Sequence, residues 1–400
     1  MLMKSPGFII SALALLFVQC NPIEMESDAL LDAHPIEVNA TQHYRFKDEI
    51  LKQIVLGNNG AALPYGIENV MAKKIIYTTA SPDNQPKEAS GILLIPENIS
   101  EKVILLYLHS AITDPKKAPP LSLLGNNELL RAAILASTGF ITLIPDYMGY
   151  GASSDVPHLF EHKKSLVQSN YDFLWAVHQY LKQNKITSLN KLFILGYGEG
   201  AYSSLVLQQK IEETLQFQIL HTYAGGGVYN KSRFITSLFE TEKNTNALGN
   251  FVRLLISYNR NYKRLNRPLS YYFNPPYSHQ IETIINENGI LKDSMVTGIT
   301  VRELFTKEFI DGVLEKTDRT YLEVVQENDI SDWKPKTPIT LYRGSLDQVT
   351  AYANTLKTVK EIELLGGQIT YEGILGKNHE LAQWPFLFDV IHQIKNFNAN

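Results

Sequence analysis

Short apolar runs recur along the chain, and most are followed by a stretch with helical spacing. Val103 to Leu108, Phe140 to Ile144, Leu192 to Leu195, Leu220 to Ala224, Ile339 to Tyr342 and Gln368 to Tyr371 read as strands. Asn127 to Ser137, Tyr171 to Gln183, Ala201 to Thr214 and Val349 to Leu365 read as helices between them. The strands are near-continuous apolar runs, as in a sheet covered by helices on both faces, where alternation would signal one wet face. The pattern predicts α/β architecture with a largely parallel central sheet flanked by helices. Upstream, Lys74 to Thr78 and Gly91 to Ile95 bracket the turn-rich Ser81-Pro82-Asp83-Asn84 and predict an antiparallel hairpin.

The rhythm breaks between residues 228 and 336, which are rich in Tyr, Phe and Asn and in amphipathic helical patterns such as Phe251 to Tyr258 and Val301 to Leu314. No linker-like composition separates this block. The simplest reading is a helical cap inserted over the C-terminal edge of the sheet, where ligand sites in such folds lie. The core then comprises residues 73–227 and 337–400, and the cap residues 228–336.

The N-terminus carries a different signal. Lys4 precedes an uncharged apolar run from Gly7 to Val18, followed by Gln19-Cys20. About a dozen residues suit a signal-peptide core and fall short of the roughly 20 that span a bilayer. Residues 1–19 are therefore read as a signal peptide, and residues 20–72, with Glu24, Glu26 and Asp28 near their start, as a tether and lead-in. Cys20 is the chain's single cysteine, which excludes an intrachain disulfide and a multi-cysteine metal site. A charge balance of 37 basic against 41 acidic residues offers no general attraction for nucleic acid, and 44% hydrophobic residues argue against disorder.

Between the strand Lys191 to Leu195 and the helix from Ala201 stands Gly196-Tyr197-Gly198-Glu199-Gly200. Strand, tight glycine-flanked turn and helix are the setting of a nucleophile elbow, Gly-x-Ser-x-Gly, in which the central side chain stands proud. Here the centre is Gly198, so the hydroxyl is absent. Downstream, Asp347 lies in the loop after one strand and His379 in the loop after the next. Singly these are a turn or capping residue and a loop histidine. Together they fall in the order nucleophile position, acid, histidine.

With these residues the chain resembles the α/β-hydrolase superfamily, in particular capped lipase/esterase-like members that include secreted bacterial lipoproteins. Ile144-Pro145-Asp146-Tyr147-Met148-Gly149-Tyr150-Gly151 and Asp332-Trp333-Lys334-Pro335 add to the likeness, which runs from about Lys73. It implies an α/β-hydrolase fold and a Gly198/Asp347/His379 site. It also implies an oxyanion hole from the amides of Glu199 and of Ser110 or Ala111, although relatives carry His-Gly where this chain has His109-Ser110. Cys20 resembles the lipidation site of bacterial lipoproteins, which implies export and a membrane anchor, the alternative being a secreted or periplasmic protein.

Two functional readings stay open. Without the serine, covalent acyl transfer loses its nucleophile, and Ser203 and Ser204 fall inside the following helix. The chain is then a pseudo-hydrolase that binds a small apolar or ester-like ligand, or a protein partner. The alternative keeps chemistry, as a carboxylic-ester hydrolase or as an acid–base enzyme using His379 and Asp347. No cofactor is implied. Gly196-x-Gly198-x-x-Ala201 matches a dinucleotide fingerprint, but Gly225-Gly226-Gly227 follows the next strand where an acidic ribose ligand belongs. His158 and His162 have helical spacing but not the order of a zinc motif, so no metal is expected. Tyr258, Tyr262, Tyr271, Tyr272, Phe273 and Tyr277 read as cap core.

Overall fold

The structure is a computed structural model, and it describes residues 30–35, 69–99, 101–112, 127–241, 246–286, 295–330 and 332–397. Cys20 and the signal-peptide segment lie outside the described residues. Among the described residues, nine strands form one sheet: β1 (Leu30–Pro35), β2 (Val70–Ala80), β3 (Pro86–Pro96), β4 (Glu101–Leu108), β5 (Phe140–Pro145), β6 (Lys191–Tyr197), β7 (Gln218–Gly225), β8 (Ile339–Gly344) and β9 (Ile369–Ile374). Their spatial order is β1-β2-β3-β5-β4-β6-β7-β8-β9. Every pairing from β5 through β9 is parallel, and the pairings among β1, β2, β3 and β5 are antiparallel.

Every residue of β5 and β8 is buried, consistent with helices covering both faces. One layer packs Leu106, Leu143 and Ile194 against Phe173, Val177 and Leu205, and the other packs Leu105, Ile144 and Leu195 against Ile134, Phe386 and Ile391. The β2–β3 hairpin closes through Ser81, whose amide donates to Gln85 O at 2.9 Å, with Asn84 at φ 62°. Asparagine tolerates that left-handed conformation better than most residues.

The structure departs from the sequence reading in four places. The stretch 20–72, expected as tether and lead-in, contains β1, which pairs with β2 from Leu30↔Tyr77 to Pro35↔Lys73. The helix expected from Tyr171 begins two turns earlier, at Lys163. Its first turns look polar because they bury small polar groups: Asn170 donates to Ser203 Oγ at 2.8 Å and Ser169 Oγ to Ser165 O at 2.9 Å. The helix expected from Val349 begins at Tyr352, because the amides of Val349 and Thr350 serve a carboxylate instead. A last helix, Gln383–Lys395, packs on the sheet and was not anticipated.

Between β7 and β8, the described residues form the helices Lys231–Glu240, Leu248–Asn261, Leu269–Tyr272, Tyr277–Asn286, Val301–Leu304, Lys307–Leu314 and Arg319–Glu327. They share an aromatic core in which Phe239, Phe251, Tyr272, Phe273, Phe305, Phe309 and Tyr321 are buried. Tyr258 is buried there too, and Tyr262, Tyr271 and Tyr277 pack on its margin.

Candidate active site

The turn between β6 and the helix Glu199–Thr214 places Gly198 at φ 57° and ψ −119°, a conformation that an L residue adopts only under strain. The flanking glycines answer to sterics. A Cβ on Gly200 would lie 1.9 Å from Leu108 O, and one on Gly196 would lie 2.0 Å from Gly200 O. Strand and helix therefore meet at backbone distance, and Gly198 N donates to Gly225 O at 2.8 Å.

A Cβ at Gly198, by contrast, would have room. It would point at His379 Nε2, 3.7 Å away, and at Ser110, with Cβ at 3.7 Å and Oγ at 3.8 Å. Ser203 and Ser204 do not reach this point: both are fully buried, Ser203 Oγ accepting from Asn170 and Ser204 Oγ donating to Gly200 O at 2.7 Å.

Asp347 and His379 do meet. His379 Nδ1 donates to Asp347 Oδ2 at 2.9 Å, and Thr350 Oγ1 donates to the same oxygen at 2.8 Å. Asp347 Oδ1 accepts from the amides of Val349 and Thr350 at 2.8 and 3.0 Å. Burial alone would raise this carboxyl, but the His379 ring and the Thr350 donors outweigh it and hold the group below the usual carboxylate range. Arg343 fastens the loop, its guanidinium donating to the carbonyls of Asp347 and Thr350. Tyr197, beside the elbow glycine, donates its hydroxyl to His379 O at 2.8 Å.

The loop after β4 is clamped by the segment after β5. Tyr147 donates to His109 O at 2.8 Å and stacks on the His109 ring with centroids 4.0 Å apart, while Tyr150 donates to Ile112 O. Burial lowers the His109 imidazole, whose Nδ1 meets Ser110 O at 2.7 Å. Ser110 is 8% exposed, and among the described residues its hydroxyl has no hydrogen-bond partner. Ala111 packs against the aromatic core of the helical segment.

Sequence reasoning assigned Glu199 only through its amide, but its buried carboxylate is as prominent. It lies 2.9 and 3.1 Å from His158 Nε2 and accepts from Glu161 N at 2.9 Å. His158 Nδ1 lies 2.9 Å from Met148 O, so both ring nitrogens face acceptors, the pattern of an imidazolium. Burial alone would lower His158, but Glu199 outweighs it and raises the group; burial would likewise raise Glu199, and His158 with the Glu161 amide holds it low. His162 turns elsewhere, to Ser165 Oγ at 2.7 Å. A histidine thirteen residues after the end of β5 and an acid one residue past the elbow glycine were the available signals, and neither names its partner.

A family model described as secretory lipase matches residues 116–384. The chain belongs to the secretory lipase family. The secretory-lipase match spans the elbow, Asp347 and His379 together. Among solved structures, the chain is similar to the rice cell wall degrading esterase LipA from Xanthomonas oryzae, with a TM-score of 0.80 and 19% identity over 93% of this chain and 99% of that one. It is also similar to Candida antarctica lipase A, with a TM-score of 0.63 and 14% identity over 88% of this chain and 77% of that one. The fold of this lipase-family member is thus the α/β-hydrolase fold. No curated protein matches the sequence.

Proposed function

We propose that this secretory-lipase-family chain is an exported pseudo-hydrolase: it binds an ester or acyl ligand over the elbow and performs no acyl transfer at position 198. The observation that carries this reading is the point above Gly198, faced by His379 Nε2 at 3.7 Å with no hydroxyl on the elbow itself. In a well-studied serine protease, loss of the nucleophile costs on the order of a millionfold in turnover. Glycine also relieves a conformation that costs other residues about 1–3 kcal/mol.

A second reading is favoured by one observation, the Asp347–His379 hydrogen bond of 2.9 Å. An imidazole oriented in this way can act as a general base on a bound substrate or water without any serine. Purified protein assayed with p-nitrophenyl butyrate, beside Gly198→Ser and His379→Ala, separates the two. The pseudo-hydrolase reading expects turnover near background in the unmodified protein and a gain in Gly198→Ser. Ordinary enzyme rates in the unmodified protein, lost in His379→Ala, would establish the base-catalysed reading instead.

Export and lipidation at Cys20 complete the proposal; the secretory family and the leader composition support export, and the place of Cys20 right after the apolar run supports lipidation. Palmitate labelling of wild type but not of Cys20→Ser is the expected result, and equal labelling would remove the anchor.

A further inference from the structure

Three features converge on the point where a Gly198 side chain would stand. The first is the N-terminus of the 16-residue helix Glu199–Thr214, whose leading amide has no intrahelical acceptor and whose dipole favours an anion. The Glu199 carboxylate, which could cancel that positive end, is drawn off to His158 and to the Glu161 amide. The second is Ser110 Oγ, 3.8 Å from the point, more than nine-tenths buried and, among the described residues, without a partner. A buried hydroxyl left unsatisfied costs free energy until a ligand supplies its partner. The third is His379 Nε2, 3.7 Å from the same point, its Nδ1 committed to Asp347.

A serine side chain in this place would fill the space between these groups, and glycine leaves it to the ligand. We propose that the Gly198 elbow binds the carboxyl group of an apolar monocarboxylic acid, one oxygen toward Ser110 and the Glu199 amide and the other toward His379 Nε2. With Nδ1–H given to Asp347, Nε2 shares one proton with the carboxyl group. That proton arrives on the acid or is already held by the imidazole, and no covalent bond is made or broken. Next to Ser110, Ala111 packs on the aromatic core between β7 and β8, which suits an apolar tail in preference to a second charge. The ligand class is therefore the acid that ester hydrolysis releases, which places the chain after an ester-cleaving reaction. This inference rests on the reading that position 198 forms no acyl-enzyme.

The test is calorimetric titration of the purified full chain with octanoate and with methyl octanoate, beside p-nitrophenyl octanoate turnover on the same preparations. The expected result is saturable octanoate binding, with the methyl ester at least about tenfold weaker. Ser110→Ala should weaken octanoate by about tenfold, the usual effect of losing one hydrogen bond to a charged group. Among the described residues the Ser110 hydroxyl bonds nothing, so this variant is expected to fold. Gly198→Ser should also weaken octanoate by filling its place. Equal affinity for acid and ester, or an unchanged octanoate affinity in Ser110→Ala, would overturn the inference. Turnover of the nitrophenyl ester at ordinary enzyme rates by the unmodified protein would overturn the reading beneath it. Failure to bind octanoate in a protein that does not turn over the ester would overturn the inference alone.

Discussion

His158 Nε2 lies 2.9 Å from the Glu199 carboxylate and thereby pins the residue after the elbow glycine to the loop that follows β5. The Glu199 side chain is fully buried, so the pair is tied to the fold itself. His158→Ala strands a buried carboxylate and is expected to destabilise the protein by about 3–5 kcal/mol in denaturant unfolding. An unchanged midpoint would show that Glu199 is neutral in the folded state.

The same pair sets a pH window. Glu199 is held below its ordinary 4.5, so its stabilisation is present above that pH and is lost as pH falls through the folded value. His158 is held above its ordinary 6.5, so its stabilisation is complete below that pH and fades as pH rises through the folded value. Both contributions coexist between these two values. Thermal melts from pH 4 to 9 should show wild type gaining most over His158→Ala inside that window. A gap between the two proteins that does not vary with pH would contradict this linkage.

Gly198→Ser is expected to exchange stability for chemistry. Its Cβ meets only ordinary contacts at 3.7 and 3.8 Å, so the cost is that of a side chain at φ 57°, about 1–3 kcal/mol. A lower melting temperature accompanied by new esterase activity is the expected pair of results. An unchanged melting temperature would mean that the turn relaxes to another conformation.

Gly200→Ala should be worse than Gly198→Ser and should bring no activity. Its Cβ would press on the backbone carbonyl of Leu108 at 1.9 Å, which no side-chain rotation can relieve, and the helix must move off β4 to admit it. A loss on the order of 3 kcal/mol or more, or insoluble expression, is expected. A well-folded Gly200→Ala with near wild-type stability would show that the helix start is movable.

Lys231, fully buried, pairs with Glu161 at 2.6 Å and lies 3.6 Å from the centroid of the Tyr202 ring. Burial pushes Lys231 down and Glu161 up, so desolvation outweighs pairing for both. Lys231→Met alone should cost about 3–5 kcal/mol, and adding Glu161→Gln should recover much of that loss in a double-mutant cycle. Additive losses would indicate that the two residues act independently.

Much of the sheet was legible because its strands are buried on both faces and so read as unbroken apolar runs. The elbow was legible because close approach of strand and helix demands glycine at Gly196 and Gly200, a constraint visible at fixed spacing. The extent of the helix from Lys163 was hidden, since its inner face buries Ser165, Ser169 and Asn170 and hydrophobic periodicity misses polar residues packed in pairs. β1 was hidden for another reason: an edge strand takes its order from β2 and needs little pattern of its own. In the site, Asp347 and His379 could be found by order along the chain. The Glu199–His158 and Glu161–Lys231 pairs could not, because partners 41 and 70 residues apart meet only through the packing of the elbow helix and the segment after β7.

The strand order also imposes a timetable on the site. β8 and β9 lie at one edge of the sheet and come after the other strands in sequence, and His379 follows Gly198 by 181 residues. At roughly 5–20 residues per second, a ribosome finishes the elbow about 10–35 s before it makes the imidazole. Until then the turn and the Ser110 loop exist without Asp347 and His379. A chain that stops short of its final strand can carry the anion-favouring end of the elbow helix with no partner to share a proton.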